Sequence, residues 1–191
     1  ASGHTKFWQP VIDRLKNHTH THVIAYPEFG GFPRCPEVQC FQDLQDYVLD
    51  NIQQDSVIIA QSMGGIFAVQ AALQKPNKVK ALVLVATSGG IDLTAFDIKD
   101  WREAYREEYE VPTWFIDDHT RLDDRLVEIG CPILLIWGDQ DPISPVSVGR
   151  YLEKQFKKAH LEIIEGGQHD LVHAHASEVS MLIAEFLNQN Q

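Results

Sequence analysis

The chain has 191 residues, 44% hydrophobic and 23% charged, as expected for one globular domain that buries its core without disulfides. Sixteen basic against 27 acidic residues give a net charge of −11, which disfavours nucleic acid as a partner. No apolar run approaches the roughly 18 residues of a membrane span. A reduced, cytoplasmic setting is the simplest explanation of the three cysteines.

The first part of the chain predicts a short helix followed by a strand. Apolar spacing over residues 7–15 indicates the helix, with Pro10 tolerated in its first turn. Residues 23–26 favour a strand because valine, isoleucine and tyrosine are frequent in strands. Alternate histidines in 18–22 could bind a metal from one face of that strand, but acidic or cysteine partners are missing nearby. We therefore expect no metal site here.

Further along, helical and strand patterns alternate. The predicted elements are a helix at 41–52, a strand at 56–60, a helix at 66–74, strands at 79–86 and 133–137, a helix at 146–156, a strand at 161–164 and a helix at 179–187. Such alternation predicts an α/β fold with a doubly wound, mostly parallel sheet. We find no linker or repeat, so residues 1–191 are interpreted as a single domain.

Residues 88–130 interrupt this alternation. The segment is rich in charge and aromatic residues, includes a helical run near 122–129, and is longer than a usual connection. One interpretation is a short helical cap over the sheet edge, whose aromatic residues line an apolar acyl pocket. The other is an ordinary insertion of short helices. The candidate pocket residues are Phe96, Trp101, Tyr105, Trp114 and Phe115.

The segment 57–65 is an apolar strand that stops at Ser62, after which a helical pattern begins at once. A nucleophilic serine on such a sharp turn requires small residues two before and two after it, and Ala60 and Gly64 are small. This geometry also directs the backbone N–H of Met63 at a developing oxyanion. The alternative interpretation is a serine that only caps the helix.

Three loops that follow apolar strands contain a serine, an aspartate and a histidine, in that chain order. Ser62 is in the first loop, Asp139 and Asp141 are in the second, and His169 is in the third. Loops after parallel strands meet at one edge of the sheet, so we expect these side chains to lie together. A serine needs a base to take its proton, and the base needs a carboxylate to orient it.

With these features the chain resembles the α/β-hydrolase superfamily, and within it small carboxylesterases such as the pimeloyl-carrier-protein methyl ester esterases. The similarity covers nearly the whole chain outside residues 88–130. It rests on the segments Phe7-Trp8, Tyr26-Pro-Glu-Phe-Gly-Gly31, Ala60-Gln-Ser-Met-Gly-Gly65, Leu82-Val-Leu-Val-Ala-Thr87, Trp137-Gly-Asp-Gln-Asp-Pro142 and Gly166-Gly-Gln-His169.

The resemblance implies a serine hydrolase that cleaves small-molecule carboxylic or acyl esters through an acyl-enzyme, without a cofactor. Ser62 would be the nucleophile, His169 the general base and Asp141 the acid that orients it. Asp139 would bond the turn, and the Met63 N–H would form half of the oxyanion hole. The alternatives are another chemistry on this fold, such as C–C bond hydrolysis or haloperoxidase-like activity, and a non-catalytic binding protein.

Two positions depart from the family pattern. The first small residue of the serine turn is Ala60 where the family has glycine. The His-Gly-type segment that follows an early strand, and that supplies the second oxyanion N–H, is not found. By spacing it belongs at or before Ala1, so we expect a strand upstream of Ala1 in the natural protein.

Overall fold

A computed structural model describes residues 4–16, 20–109 and 111–190. Its helices are α1 (Gln9–Leu15), α2 (Phe41–Asp50), α3 (Gly64–Gln74), α4 (Arg102–Glu108), α5 (Thr113–Ile116), α6 (Val146–Gln155), α7 (Leu171–Ala174) and α8 (Ala176–Gln189). Short 3₁₀ helices span Thr5–Trp8 and Asp123–Glu128. The strands are β1 (Ser56–Gln61), β2 (Val79–Val85), β3 (Ile133–Gly138) and β4 (Ala159–Ile164).

The four strands form one parallel sheet in the order β1-β2-β3-β4. Across it, Gln61 lies opposite Val85, and Val85 lies opposite Ile136. All four strands therefore end at the same edge, and the loops after β1, β3 and β4 leave from it. Helices pack on both faces of the sheet, which confirms the predicted α/β fold class.

Side chains of β2 alternate between two hydrophobic cores. Leu82 and Leu84 belong to the core that includes residues of α2, α3 and α6. Val83 and Val85 belong to the core that includes residues of α1 and α8 on the other face. A strand covered on both faces has no polar side, which explains why the sequence of β2 is almost continuously apolar.

Residues 88–130 connect β2 to β3 and contain α4, α5 and the second 3₁₀ helix. Their two ends are joined, because the amide of Leu122 donates to the carbonyl of Gly90 at 2.8 Å. The helical run predicted near 122–129 is 3₁₀ rather than α-helical. Side chains from this segment enter the core that α3 also contributes to, namely Ile91, Phe115, Leu122, Leu126 and Ile129.

The predicted strand at 23–26 is wrong, since these residues have no regular secondary structure. Val23, Ile24 and Tyr26 line, together with β1, a cavity of about 810 Å³ that we call the β1 groove. A strand exists only where a neighbouring strand completes its hydrogen bonds, and no ladder joins 23–26 to β1. Of the histidines in 18–22, His18 lies outside the described residues.

The helices give no sign of a membrane span. Among the residues in the described ranges, none forms a helix that is both long enough and apolar enough to cross a bilayer.

All three cysteines, Cys35, Cys40 and Cys131, carry free thiols.

Candidate active site

Ser62 occupies a sharp turn between β1 and α3. Its φ of +54° lies in the left-handed region, which residues other than glycine rarely adopt. Three hydrogen bonds hold this backbone in place. The Ser62 amide donates to the Val85 carbonyl at 3.0 Å, and the Ser62 carbonyl accepts from the Gly65 amide at 3.0 Å and from the Thr87 hydroxyl. The strained turn is therefore fixed by the end of β2.

The packing requirement of this turn falls on Gly65 rather than on Gly64. A Cβ on Gly64 would meet the Tyr26 hydroxyl at 3.5 Å and the Ala60 Cβ at 3.7 Å, which are ordinary contacts. A Cβ on Gly65 would lie 2.3 Å from the Thr87 hydroxyl oxygen. Desolvation raises the pKa of the Tyr26 phenol, so a neutral hydroxyl stands beside the turn.

Asp141 is held in the loop after β3 with its carboxylate completely buried. One oxygen, Oδ1, accepts the backbone N–H groups of Ile143 at 2.8 Å and Ser144 at 3.0 Å. The other, Oδ2, lies 2.8 Å from Nδ1 of His169. A buried carboxylate with three donors has a fixed orientation and a stabilised charge.

Asp139 has a different role in the same loop. Its Oδ1 accepts the Gly166 amide at 2.7 Å and so ties the loop after β3 to the loop after β4. The hydrogen bond to His169 is thus made by Asp141, as the sequence predicted, while Asp139 bonds a turn.

Backbone contacts join these two loops along their length. The Gln140 amide donates to the Gly167 carbonyl at 2.9 Å, and the Asp139 amide donates to the Ile164 carbonyl at 3.2 Å. A Cβ on Gly138 would lie 2.2 Å from the Gly167 oxygen. The separation of the two loops is therefore set by main-chain atoms, and it allows no larger residue at either glycine.

His169 links Asp141 to Ser62. Because a carboxylate only accepts hydrogen bonds, Nδ1 carries the ring proton that faces Asp141. In the neutral ring Nε2 is then an acceptor, and it lies 3.0 Å from the Ser62 hydroxyl. The His169 side chain is 24% exposed, so solvent and small molecules reach it. Asp141, His169 and Ser62 thus form one hydrogen-bonded chain.

Sequence reasoning missed two further residues that contact this hydrogen-bonded chain. Gln61 donates a side-chain hydrogen bond to the backbone carbonyl of His169, and Thr87 donates to the carbonyl of Ser62. Both stand at the end of an apolar strand and are buried. A buried polar residue at the end of an apolar strand is a signal that the sequence contained.

The five aromatic candidates have different surroundings. Phe115 lines the β1 groove, which Met63 also lines. Rings of the other four contact aromatic neighbours, namely Phe96 with Tyr151, Trp101 with Tyr105, and Trp114 with Phe29 and Phe115. Their place in an acyl pocket remains a prediction.

Met63 precedes the first residue of α3, where the helix N-terminus carries partial positive charge. Its backbone N–H as an oxyanion donor also remains a prediction.

The strand expected before Ala1 lies outside the described residues. Within those residues, no group of three or more histidine, cysteine, aspartate or glutamate side chains is placed to hold a metal ion.

Comparison with known families decides the assignment. Residues 16–111 match the family described as alpha/beta hydrolase fold, and residues 110–191 match the family described as TAP-like protein. The chain belongs to the α/β-hydrolase fold family. The first match includes Ser62, and the second includes Asp141 and His169.

Curated relatives of this α/β-hydrolase include enzymes named pimeloyl-(acyl-carrier protein) methyl ester esterase. The one from Proteus mirabilis is 35% identical over 85 residues, which are 42% of this chain and 31% of the relative. The one from Yersinia enterocolitica is 22% identical across 96% of this chain and 88% of the relative. A solved structure, the thermophilic esterase from Thermogutta terrifontis, superposes with a TM-score of 0.79 at 17% identity, covering 97% of this chain and 85% of that one. At this identity, the structural likeness shows the fold alone.

Proposed function

We propose that this α/β-hydrolase is a serine esterase that cleaves carboxylic esters of small or acyl-chain acids through an acyl-enzyme. The observation that carries the proposal is the continuous chain from Asp141 through His169 to the Ser62 hydroxyl, at 2.8 Å and 3.0 Å. The esterase names of its relatives support an ester as the substrate class.

In the first half of the reaction, the Ser62 oxygen attacks the ester carbonyl carbon while Nε2 of His169 takes the hydroxyl proton. The imidazolium that forms is stabilised by the Asp141 carboxylate, which is already bound on its other oxygen and need not move. The negative charge on the carbonyl oxygen faces the Met63 N–H at the start of α3. Collapse of this intermediate breaks the ester C–O bond, and the leaving alkoxide takes the proton from His169.

In the second half, His169 takes a proton from a water molecule, and the resulting hydroxide attacks the Ser62 ester. The new tetrahedral intermediate again places its charge near the Met63 N–H. Its collapse releases the acid, and His169 returns the proton to the Ser62 oxygen. No group other than these side chains, one backbone donor and water is needed to balance the reaction.

A panel of p-nitrophenyl esters of graded acyl length tests this proposal on the wild type, Ser62→Ala and His169→Ala. We expect each variant to lose about 10⁶-fold in kcat, the loss measured where triad members act as a unit. Ser147 on α6 is exposed, so Ser147→Ala is a matched control that keeps wild-type turnover. Circular dichroism establishes that all variants are folded.

Labelling with a fluorophosphonate separates an esterase from a binding protein on the same fold. Wild type and Ser147→Ala should be labelled, and Ser62→Ala should not. A folded wild type that is neither labelled nor active on any ester would support the non-catalytic binding protein. Retention of more than a tenth of wild-type kcat by Ser62→Ala would remove Ser62 as the nucleophile.

A further inference from the structure

Gln61 is a polar residue in a place that otherwise favours apolar ones. It ends β1, immediately before Ser62, and is only 7% exposed. Its side-chain Nε2 donates to the backbone carbonyl of His169, a residue 108 positions further along the chain. The bond therefore joins the residue before the proposed nucleophile to the main chain of the proposed base.

This bond leaves the other end of the amide unsatisfied. The carbonyl of His169 can only accept, so the NH₂ end of Gln61 must face it. Oε1 of Gln61 is then buried, and no described residue donates a hydrogen bond to it. An unpaired buried oxygen destabilises the folded state, while the hydrogen bond to the His169 carbonyl stabilises it, so the two effects oppose each other. The net stability that a glutamine contributes here is therefore small.

What the bond does account for is the position of the His169 ring. Asp141 fixes the orientation of the His169 ring through Nδ1. The position of the ring is fixed only if the His169 backbone is held as well. Gln61 holds that backbone from the same strand end that presents Ser62. The hydrogen bond from Gln61 thereby fixes the 3.0 Å distance from Nε2 of His169 to the Ser62 oxygen relative to β1.

We propose that Gln61 is a positioning residue that sets the distance between Ser62 and His169. This inference rests on the proposed function of the site. Because a displacement of about 1 Å can cost up to roughly 100-fold in rate, losing one of two constraints on His169 should lower kcat by about tenfold. KM should change by less than about twofold, since Gln61 binds no substrate in this scheme.

The experiment compares Gln61→Met with Gln70→Met. Methionine has a similar length and no amide, so the hydrogen bond is lost while the packing is kept. Gln70 on α3 is 8% exposed and also has a buried Oε1 without a partner, which makes it a matched loss of a buried amide. We expect the lower kcat only in Gln61→Met, together with a melting temperature close to that of the wild type.

A fall in kcat without a comparable fall in melting temperature distinguishes positioning from a structural role. If Gln61→Met and Gln70→Met lowered melting temperature and kcat together, Gln61 would be merely structural. If Gln61→Met kept the wild-type kcat, the proposal would be overturned while the esterase stood. Gln61→Asn is a second variant, because its amide is one methylene too short to reach, and it should show the same fall in kcat should the methionine variant not fold.

A readout that needs no activity is the proton NMR signal of the His169 Nδ1–H that Asp141 accepts. We expect it to shift or broaden in Gln61→Met and Gln61→Asn and to stay unchanged in Gln70→Met. An unchanged signal in all variants would contradict the proposal even if no ester substrate were found. An inactive, unlabelled wild type whose signal still moved in Gln61→Met would instead contradict only the esterase.

Discussion

The β3–β4 side and the β1–β2 side of the sheet hold their parts of the site in different ways. On one side, β3 lies between two strands, its residues are buried, and its loop is bonded to the loop after β4 through the main chain. On the other, β1 has β2 as a neighbour and the β1 groove beside it, and residues 56–59 are half-buried. Asp141 and His169 follow β3 and β4, which we call the closed side because their loops are bonded to each other, and Ser62 follows β1, the open side.

This difference shows where the geometry of the site is vulnerable. Asp141 and the backbone of its loop are fixed by main-chain donors and by glycines that touch, so few side-chain changes could move them. The side chain of Thr87 helps to hold Ser62 in its strained turn. The side chain of Gln61 bonds the backbone of His169 to the strand end that carries Ser62. Side-chain substitutions should therefore separate the two sides.

The largest effect within this comparison is expected from Asp141→Asn. The asparagine oxygen can still accept from Ile143 and Ser144, but its NH₂ group then faces Nδ1 and forces the ring proton onto Nε2. Such a tautomer cannot take the Ser62 proton, and a fall in kcat of roughly 10⁴-fold is expected by analogy with other Ser-His-Asp triads. Steady-state hydrolysis of a p-nitrophenyl ester measures it.

Asp139→Asn is the matched control for that variant. An asparagine oxygen can keep the hydrogen bond from the Gly166 amide, so kcat should stay within about threefold of the wild type, since such surface substitutions usually cost little. Equal losses in the two variants would mean that the loop, and not the Asp141 carboxylate, is what matters.

A smaller effect is expected from Gly138→Ala on the closed side. The added Cβ would lie 2.2 Å from the Gly167 oxygen, so the loops must separate. We expect the free energy of unfolding to fall by about 1–3 kcal/mol, as for overpacked cores. Urea denaturation measures the change. Gly130 has no atom within 4 Å of an added Cβ, so Gly130→Ala should be close to neutral, and a loss as large there would show that the clash is not the cause.

The smallest effect compares one methyl group on the two sides. Ile136 on β3 is fully buried and Ile59 on β1 is half-buried, and both pack against the core that holds α1 and α8. Ile136→Val should cost about 1 kcal/mol of unfolding free energy, and Ile59→Val less than half of that. The same urea titration gives both values, and equal costs would mean that β1 is as well packed as β3.

Much of the fold could be predicted because apolar periodicity reports burial directly. The buried runs at 79–86 and 133–137 and the apolar faces of α2 and α8 are properties of short segments, and they indicated these elements within a few residues. The strand at 23–26 could not be judged in this way, because its residues have strand propensity but its hydrogen bonds depend on a neighbour.

The candidate site divides in the same manner. Ser62 and His169 were suggested by residue type, loop position and chain order, which are local or sequential, and Asp141 was preferred over Asp139 through the resemblance to the family. Gln61 and Thr87 were missed because their partners are distant in sequence, and only the packing of β1 against β2 and the loop after β4 brings them together. The tight position at Gly65 also depends on Thr87, so it was assigned to Gly64 instead.

The sequence by itself determined the parallel α/β order, the two-sided burial of the central strands and the three loops that carry the reactive side chains. These follow from local propensity and from the rule that parallel strands end at one edge. Only the tertiary structure decided which contacts hold the candidate groups at hydrogen-bonding distance, that β1 is an edge strand among the described residues, and which glycine cannot be replaced. Distances between segments depend on packing, and packing is a property of the folded chain as a whole.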